Sequence, residues 1–224
     1  MSKFTVVVQA RTSSTRLPGK VLKFVNGLPI LQYVLERISI RNPEIPIIVC
    51  TSDLAEDDPI ESLCNNLQTK CYRGNLLNVA SRFYEISRNG EFEAFIRVCA
   101  DSPMIDGDII KMMIDQWNSK LDLLTNTVPR SFPKGQSIEI VNRKTFIHSF
   151  SQFQTADDIE HVTHYFHRNL QNYVYKNISN SQNYSDISLA IDEPDDLENF
   201  KKFVSENEKK WLYYSFEKIL NYYK

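Results

Sequence analysis

A polar segment near the start of the chain carries three cationic and four hydroxyl side chains. It reads Gln9-Ala10-Arg11-Thr12-Ser13-Ser14-Thr15-Arg16-Leu17-Pro18-Gly19-Lys20 and lies between an apolar run and a helical pattern. Forked guanidinium donors, an ammonium group, hydroxyls and exposed backbone N–H groups are the donors that phosphate oxygens bind. The segment therefore predicts a phosphate site. The alternative is a solvated loop with ordinary surface charge.

The segment matches neither of the two common phosphate-binding motifs. The G-x-x-x-x-G-K frame of a Walker loop fails because Ser14 stands where its first glycine is needed. No G-x-G occurs in the chain, so the dinucleotide fingerprint is absent as well. Nucleophilic acyl transfer also lacks support, because there is no G-x-S-x-G and no cysteine in an activating setting.

An aspartate follows one of the apolar runs. Asp101 comes just after residues 94–99, a predicted buried strand, and its carboxylate is thus expected at the carboxyl edge of a sheet. A carboxylate there can hold Mg²⁺, which takes oxygen ligands together with substrate phosphates. The alternative is a turn aspartate ahead of Pro103 that starts the next helix.

A second aspartate has a similar setting. Asp192 follows the apolar run 187–191 and precedes a helical pattern. Asp195 and Asp196 fall in the first turn of that helix, where the helix dipole favours acidic residues, and are expected to be structural. Asp192 lies outside the helix and could join Asp101 on one metal ion. Two such carboxylates beside a cationic loop favour a nucleoside triphosphate site.

Three histidines in one predicted helix suggest zinc at first sight. His161, His164 and His167 are spaced i, i+3 and i+6. On a helix they fall at about 0°, 300° and 240°, so they drift around the cylinder. No H-E-x-x-H is present, and the pattern favours surface or substrate-contacting histidines over a zinc site.

The hydrophobic patterning that must position these residues alternates strand and helix. This alternation predicts an α/β fold with a parallel, layered sheet whose ligands lie at the carboxyl ends of the strands. Residues 126–140 interrupt the pattern with two prolines and a glycine, and this stretch, ending in the apolar residues 138–141, is expected to form an excursion or hairpin outside the main sheet. The predicted strands are 4–9, 45–50, 69–72, 94–99, 121–125, 173–178 and 187–191, and the predicted helices are 28–40, 58–67, 76–86, 106–117 (capped by Asp106), 157–168, 194–204 and 212–222.

Composition is that of an ordinary globular chain. It has 224 residues, 42% hydrophobic and 24% charged, which excludes disorder and coiled coil. No apolar stretch approaches the roughly 20 residues of a membrane span, and the first residues do not form a secretion signal. The four cysteines form no C-x-x-C pair and are expected to be reduced core residues of a cytoplasmic protein.

The charge is distributed unevenly. The whole chain carries a net charge of −2, yet residues 1–41 hold seven cations against Glu36 alone. This asymmetry predicts a local anion site. It does not predict a nucleic-acid surface, which needs a broader basic face.

Residues 9–20, QARTSSTRLPGK, closely resemble the signature of cytidylyltransferases that activate acidic sugars, such as the acylneuraminate and 3-deoxy-octulosonate enzymes. Further segments resemble the spore-coat-polysaccharide branch of that superfamily, in the family's order from residue 4 to about residue 220. They are residues 72–75 with Arg82, 97–106, 126–139, 160–165 and 192–197.

The resemblance implies one Rossmann-like nucleotidyltransferase domain over residues 1–224, a mainly parallel sheet flanked by helices. It implies a protruding sugar-binding and dimerisation region at about 126–170, and a homodimer. The implied reaction takes CTP and a sugar acid, with Mg²⁺, to a CMP-sugar and pyrophosphate for a surface polysaccharide or glycan. Neither nucleic acid nor membrane insertion is expected.

The resemblance also assigns roles by motif position. Lys20, Arg11 and Asp101 would be catalytic, and Asp101 and Asp192 would be the metal carboxylates. The implied nucleotide-binding residues are Ala10, Arg11, Arg16, Lys20, Thr51, Ser52, Arg73 and Arg82, and the implied sugar-binding residues are Glu139, Glu160, His161 and Tyr165.

Some positions depart from the family pattern. Relatives often read Asp-Gly-x-Asp-x-Glu where this chain has Lys134-Gly135-Gln136-Ser137-Ile138-Glu139, which leaves the sugar open. Two alternatives stay beside the cytidylyltransferase. One is a glycosyltransferase, whose D-x-D element could only be Asp106-Gly107-Asp108. The other is a non-catalytic nucleotide-binding subunit.

Overall fold

The computed structural model describes residues 3–223 of the chain. Its strands, in chain order, are β1 (Phe4–Gln9), β2 (Phe24–Val25), β3 (Leu28–Pro29), β4 (Ile47–Ser52), β5 (Lys70–Gly74), β6 (Ala94–Cys99), β7 (Leu123–Thr125), β8 (Glu139–Asn142) and β9 (Tyr175–Asn177). Its α-helices are α1 (Ile30–Arg41), α2 (Asp58–Asn66), α3 (Val79–Asn89), α4 (Gly107–Gln116), α5 (Arg143–Ser149), α6 (Ala156–His161), α7 (His164–Arg168), α8 (Pro194–Asn207) and α9 (Phe216–Tyr223).

The main sheet has seven strands in the order β5-β4-β1-β6-β8-β7-β9. Every neighbouring pair is parallel except the two pairs that β8 forms, with β6 and with β7. The chain builds outward from β1 to β4 and β5, and then crosses to β6 on the other side of β1. The order therefore reverses beside β1, and open α/β sheets bind ligands at such a point, outside the carboxyl ends of the strands.

Helices cover both faces of the sheet because the strands are apolar on both faces. Val6 and Val8 of β1 belong to the larger core, which includes residues of α1, α4, α8 and α9. Val7, which points to the opposite face, belongs to a second core built with Phe83, Phe146 and Phe166 of α3, α5 and α7. Full burial of each such side chain contributes roughly 1.5–3 kcal/mol. The two cores fix β1 and therefore the segment that follows it.

The sequence predictions hold for most elements and fail at three. Residues 139–142 form β8 inside the main sheet, so the hairpin expected outside the sheet is wrong there. Residues 187–191 form no strand, only an isolated bridge between Lys134 and Ser188. The helix predicted over 157–168 is broken into α6 and α7 at Val162, whose φ is 52°. In each case a tertiary contact, which periodicity does not show, decides the backbone.

Part of the basic N-terminal charge has a structural role. Arg37 is buried, and its guanidinium donates to the carbonyl oxygens of Ile105, Trp211, Leu212 and Tyr214 at 2.6–3.0 Å. Burial lowers the pKa of Arg37 to about 10. The residue ties α1 to the segment before α9 and does not take part in an anion site. None of the helices among residues 3–223 is long and apolar enough to cross a membrane.

Candidate active site

The polar loop of residues 10–19 starts where β1 ends. Its turns are closed by hydrogen bonds from the backbone N–H groups of Ser14 and Gly19 to the carbonyl oxygen of Thr12, each 2.8 Å long. Gly19 has a φ of 67°, which a side chain would strain, and it precedes a short 3₁₀ turn over Lys20–Leu22. The loop thus leads the chain from the carboxyl end of β1 directly into Lys20.

Asp57, which the sequence did not single out, anchors this loop to the segment after β4. Its Oδ1 accepts hydrogen bonds from the N–H and hydroxyl of Thr12 at 2.8 and 2.6 Å, and its Oδ2 accepts from the N–H and hydroxyl of Ser52. Burial would raise the pKa of Asp57, but the bonds from Ser52 and Thr12 outweigh it and lower the pKa. The only signal in the sequence was the place of Asp57 just before a helix that starts with Asp58-Pro59.

Lys20 joins three segments that are distant in sequence. Its Nζ donates to Asp101 Oδ2 at 2.9 Å, to Asp192 Oδ1 at 2.8 Å and to the carbonyl oxygen of Ile191 at 2.8 Å. The N–H of Ile191 in turn donates to the carbonyl oxygen of Asp101 at 2.8 Å, which brings the two aspartates side by side. Asp192 is therefore positioned by tertiary hydrogen bonds, although it does not follow a strand.

The charges in this cluster reinforce one another. Burial by itself would lower the pKa of Lys20, but the carboxylates of Asp101 and Asp192 outweigh burial and raise it. Burial would likewise raise the pKa of Asp192, and the bond from Lys20 outweighs it and lowers that pKa. Lys20 is thus held charged, and the cluster is an ion network with a single ammonium between two carboxylates.

The two arginines of the loop also lie against carboxylates. Arg11 Nη2 lies 2.8 Å from Glu160 Oε1, at the end of α6. Arg16 lies 2.9 Å from Glu193 and 3.2 Å from Asp192. Such exposed pairs are worth at most about 1 kcal/mol each, so a bound anion can replace the carboxylates at little cost.

The loop, Lys20 and both aspartates line one cavity of about 360 Å³ at the carboxyl ends of β1 and β6. A cavity of this size is within the range of small-molecule sites. Of the residues implied by the family resemblance, the structure brings nine to its wall: Ala10, Arg11, Arg16, Lys20, Arg82, Asp101, Glu160, His161 and Asp192.

Arg82 of α3 is a buried cation on the cavity wall. Its Nε and Nη1 are buried and find no hydrogen-bond partner within the described residues. Burial lowers the pKa of Arg82. A guanidinium that is desolvated and only partly bonded is costly to the free protein. An anionic or carbonyl-bearing ligand in the cavity is the partner that would offset this cost.

Three residues that the resemblance placed at the nucleoside do not reach the cavity wall. Thr51 and Ser52 are fully buried at the end of β4, where Ser52 is bonded to Asp57. The guanidinium of Arg73 is held by the carbonyl oxygen of Ser52 and by the carboxylates of Asp58 and Glu61. Ser52 and Arg73 thus fix the segment after β4.

Glu139 also lies behind the cavity wall, because β8 is part of the main sheet. Glu139 pairs with Arg97 in the β6–β8 register, and its Oε2 accepts from Arg97 Nη1 at 2.6 Å and from the Thr163 hydroxyl at 2.8 Å. Its Oε1 lies 2.8 Å from His167 Nε2. Arg97, which the sequence analysis did not select, lines the cavity itself. Glu139 therefore supports Arg97, a residue of the cavity wall.

Tyr165 is the last implied residue that is not on the cavity wall. Its hydroxyl is bonded to Gln152 and its ring stacks on Phe153 with the centroids 4.9 Å apart. The break between α6 and α7 separates it from Glu160 and His161. Of the implied sugar-binding residues, Glu160 and His161 are the two that line the cavity.

The D-x-D sequence does not lie at the cavity. Asp106 caps α4 by accepting from the N–H of Asp108, and it also accepts from the N–H of Phe216. Asp108 pairs with Arg41 at 3.2 Å. The expected cap is confirmed, and the element that a glycosyltransferase would need for its metal has a structural role.

The oxygens around Lys20 fit a hard divalent cation. Three oxygen atoms surround the Lys20 ammonium: one each from the carboxylates of Asp101 and Asp192, and the carbonyl oxygen of Ile191. Oxygen atoms are the ligands that Mg²⁺ prefers. In this state the Lys20 ammonium satisfies them. A cation bound to these oxygens would displace the Lys20 ammonium, which would then be available to a phosphate.

The chain is similar to known proteins over most of its length. A family model described as cytidylyltransferase matches residues 5–219. The chain is 27% identical to the spore coat polysaccharide biosynthesis protein SpsF of Bacillus subtilis, over 90% of this chain and 86% of that protein. It is 26% identical to the 3-deoxy-manno-octulosonate cytidylyltransferase of Idiomarina loihiensis, over 77% of this chain and 75% of that enzyme. A solved cytidylyltransferase from Leptospira borgpetersenii superposes with a TM-score of 0.87 at 26% identity, covering 92% of this chain and 88% of that one.

Proposed function

The chain belongs to the cytidylyltransferase family, and we propose that it transfers CMP from CTP to a hydroxyl group of a sugar acid, giving a CMP-sugar and pyrophosphate. The observation that carries this proposal is the Lys20 ammonium between Asp101 and Asp192 on the wall of a cation-lined cavity. The similarity to a 3-deoxy-manno-octulosonate cytidylyltransferase supports the acidic acceptor, and the similarity to SpsF supports a role in polysaccharide synthesis.

The triphosphate of CTP binds to the loop after β1. Arg11, Arg16 and Lys20 supply the positive charge, and each is already positioned at the cavity by a carboxylate partner. Replacement of a carboxylate by phosphate keeps each cation paired, so the loop needs little reorganisation. Arg82 supplies a further donor that gains a partner when the nucleotide binds.

The reaction is an in-line displacement at the α-phosphorus. A bond forms between the acceptor oxygen and the α-phosphorus, the bond to the β-phosphate breaks, pyrophosphate leaves, and the acceptor's proton passes to solvent. Arg11, Arg16 and Lys20 stabilise the charge that develops on the leaving pyrophosphate. Glu160 and His161 also line the cavity, and we assign them to the acceptor. No covalent enzyme intermediate is needed, because positioning and electrostatics supply the rate.

We include Mg²⁺ in the proposal, held by Asp101 and Asp192. When bound, it supplies charge neutralisation at the phosphate and lowers the pKa of the attacking hydroxyl. The role of this chain is to fix the two carboxylates: the N–H of Ile191 ties Asp192 to Asp101, and Asp196 accepts from the N–H of Asp192 at 2.9 Å. The Lys20 ammonium then binds the phosphates of CTP.

Thermal unfolding with CTP, UTP, ATP and GTP, each with and without Mg²⁺, tests the nucleotide. A ligand at about 100 times its Kd adds roughly 2.7 kcal/mol. This corresponds to a Tm increase of several degrees in a chain of this size. We expect a selective increase with CTP and Mg²⁺, followed by pyrophosphate release when a matching sugar acid is added. An increase with nucleotide-sugars but with no triphosphate would overturn the proposal in favour of a glycosyltransferase.

We further propose that the enzyme works in the cytoplasm. The four cysteines are all free thiols, which is consistent with a reducing cytoplasm.

We also propose a homodimer through residues of the region 126–170, as the resemblance implies. Light scattering on the purified chain measures this directly, and a monomer at all concentrations would contradict it.

A further inference from the structure

A second group of metal-ligating side chains lies at the break between α6 and α7, outside the Asp101–Asp192 pair. Asp157, His161 and His164 each offer one ligand atom, and these atoms all lie within 4.8 Å of one another. Asp157 and His161 are four residues apart on α6, and His164 begins α7. Asp157 and His161, spaced i and i+4, share one face of α6, and His164 approaches them across the break.

The backbone break holds His164 in this place. Val162 is fully buried in the second core with a φ of 52°, so the chain turns there and the α7 helix restarts beside α6. As a result the rings of His161 and His164 have their centroids 4.5 Å apart. The Nδ1 atom of His164 lies 3.9 Å from Asp157 Oδ2.

Neighbouring groups are engaged elsewhere and leave these three together. His167, the next histidine, lies with its ring centroid 6.0 Å from that of His164, and its Nε2 is 2.8 Å from Glu139. Glu160 is paired with Arg11. The three histidines of the sequence therefore do not form one group. His167 contacts Glu139, whereas His161 and His164 lie beside Asp157.

We propose that Asp157, His161 and His164 form a second metal site, one for a divalent transition metal such as Zn²⁺. Two imidazole nitrogens and one carboxylate are ligands of Zn²⁺, Co²⁺ and Ni²⁺, whereas Mg²⁺ prefers oxygen. Two ligand atoms on a tetrahedral zinc lie roughly 3.4 Å apart, since each bond is about 2.0–2.1 Å. The ligand atoms, which lie within 4.8 Å of one another, therefore need to approach by up to about 1.4 Å when the metal binds.

One of the three proposed Zn²⁺ ligands also lines the nucleotide cavity. His161 lines the nucleotide cavity, so a metal with three protein ligands keeps an open coordination position at the rim of that cavity. This inference goes beyond the proposed nucleotidyl transfer, and it does not depend on it. The two sites would differ in the metal ion that they bind, because the carboxylates favour Mg²⁺ and the histidines favour Zn²⁺.

Zn²⁺ titration of the purified full chain, prepared without a histidine tag and in excess Mg²⁺, tests the site. We expect one equivalent of Zn²⁺ to bind by calorimetry. His161→Ala, His164→Ala and Asp157→Ala should each weaken it by at least about tenfold, since even residues that only support metal ligands cost 10–100-fold. His148→Ala, which removes an exposed histidine of α5, is the matched control and should leave the affinity unchanged.

Two more measurements separate this proposal from its rivals. Asp101→Asn and Asp192→Asn should leave the Zn²⁺ affinity unchanged, and a loss there would place the metal at the proposed catalytic carboxylates and overturn the second site. The Co²⁺-loaded wild-type chain should show no thiolate charge-transfer band in the near ultraviolet. Such a band, retention of binding in the three ligand variants, or no binding at ten equivalents of Zn²⁺ would each overturn the proposal.

Discussion

Lys20 Nζ donates a hydrogen bond of 2.8 Å to Asp192 Oδ1, although the two residues are 172 positions apart in the chain. This bond joins the loop after β1 to the start of α8 across the mouth of the cavity. In the absence of ligands the ammonium satisfies the carboxylates that we propose for Mg²⁺. The same side chain therefore balances the site when it is free and must move to phosphate when nucleotide and metal bind.

Replacement of Lys20 by methionine should separate these two roles. We expect Lys20→Met to lower kcat by roughly 10²-fold or more, because a group that stabilises developing charge is lost. The same variant should bind Mg²⁺ more tightly than the wild type without nucleotide, since no ammonium competes for Asp101 and Asp192. Turnover assays and calorimetry with Mg²⁺ measure the two effects. Lys111→Met, on the exposed side of α4, should change neither, and weaker Mg²⁺ binding in Lys20→Met would contradict the competition.

Asp101 and Asp108 provide a matched pair for the metal assignment. Asp101→Ala should reduce kcat by about 10²-fold or more, because it removes a carboxylate that positions charge at the phosphate. Asp108→Ala removes a carboxylate of the D-x-D sequence, which only pairs with Arg41, and should keep nearly full activity. Steady-state pyrophosphate release compares them. Loss of pyrophosphate release in Asp108→Ala together with nearly full activity in Asp101→Ala would contradict the metal assignment.

Much of the site was predictable from the sequence because its residues are local to strand ends. Arg11 and Asp101 lie two residues after β1 and β6, and periodicity placed those two strands correctly. Arg16 and Lys20 lie in the polar segment that follows β1. Asp192 lines the cavity as predicted, but the segment before it is not the predicted strand. That segment is held by a hydrogen bond from the N–H of Ile191 to the carbonyl oxygen of Asp101.

What the sequence could not show depends on contacts between distant segments. Asp57 gains its role from Thr12, 45 positions away, and a single carboxylate before a helix gives no such signal. The family resemblance implied a place for Glu139 at the sugar, and no local pattern indicated its neighbours in the fold. The pairing of β8 with β6, which no local pattern encodes, turns it into the partner of Arg97.

Replacement of Arg82 should stabilise the free protein and weaken nucleotide binding. Arg82→Met removes a buried, partly unbonded charge, so we expect the Tm of the free protein to rise by about 2 °C or more, corresponding to roughly 1 kcal/mol. The loss of a charge-assisted hydrogen bond should weaken CTP binding by about 10–100-fold. Differential scanning fluorimetry with and without CTP measures both. Arg88→Met on the same helix, where the side chain is 59% exposed, is the control and should leave both quantities unchanged. A fall in Tm for Arg82→Met would show that the guanidinium is fully satisfied in the free protein.

Glu139 should control acid stability through Arg97. Burial would raise the pKa of Glu139, but the contact with His167 and the charge of Arg97 outweigh burial and lower the pKa from 4.5 to about 2. Its stabilising contribution is therefore complete above about pH 4.5 and is lost as the pH falls towards 2. Glu139→Gln leaves the buried Arg97 without its counter-charge, which costs roughly 3–5 kcal/mol at neutral pH and lowers Tm by at least about 6 °C.

The pH dependence distinguishes this ion pair from a packing defect. The difference in unfolding free energy between wild type and Glu139→Gln should narrow as the pH falls from 4.5 to 2, because the wild-type carboxylate becomes protonated there. Denaturant unfolding at several pH values measures the difference. Glu198→Gln, which breaks an exposed pair with Lys201, should cost less than about 1 kcal/mol at every pH. A difference for Glu139→Gln that stays constant down to pH 2 would mean that its shape, and not its charge, supports Arg97.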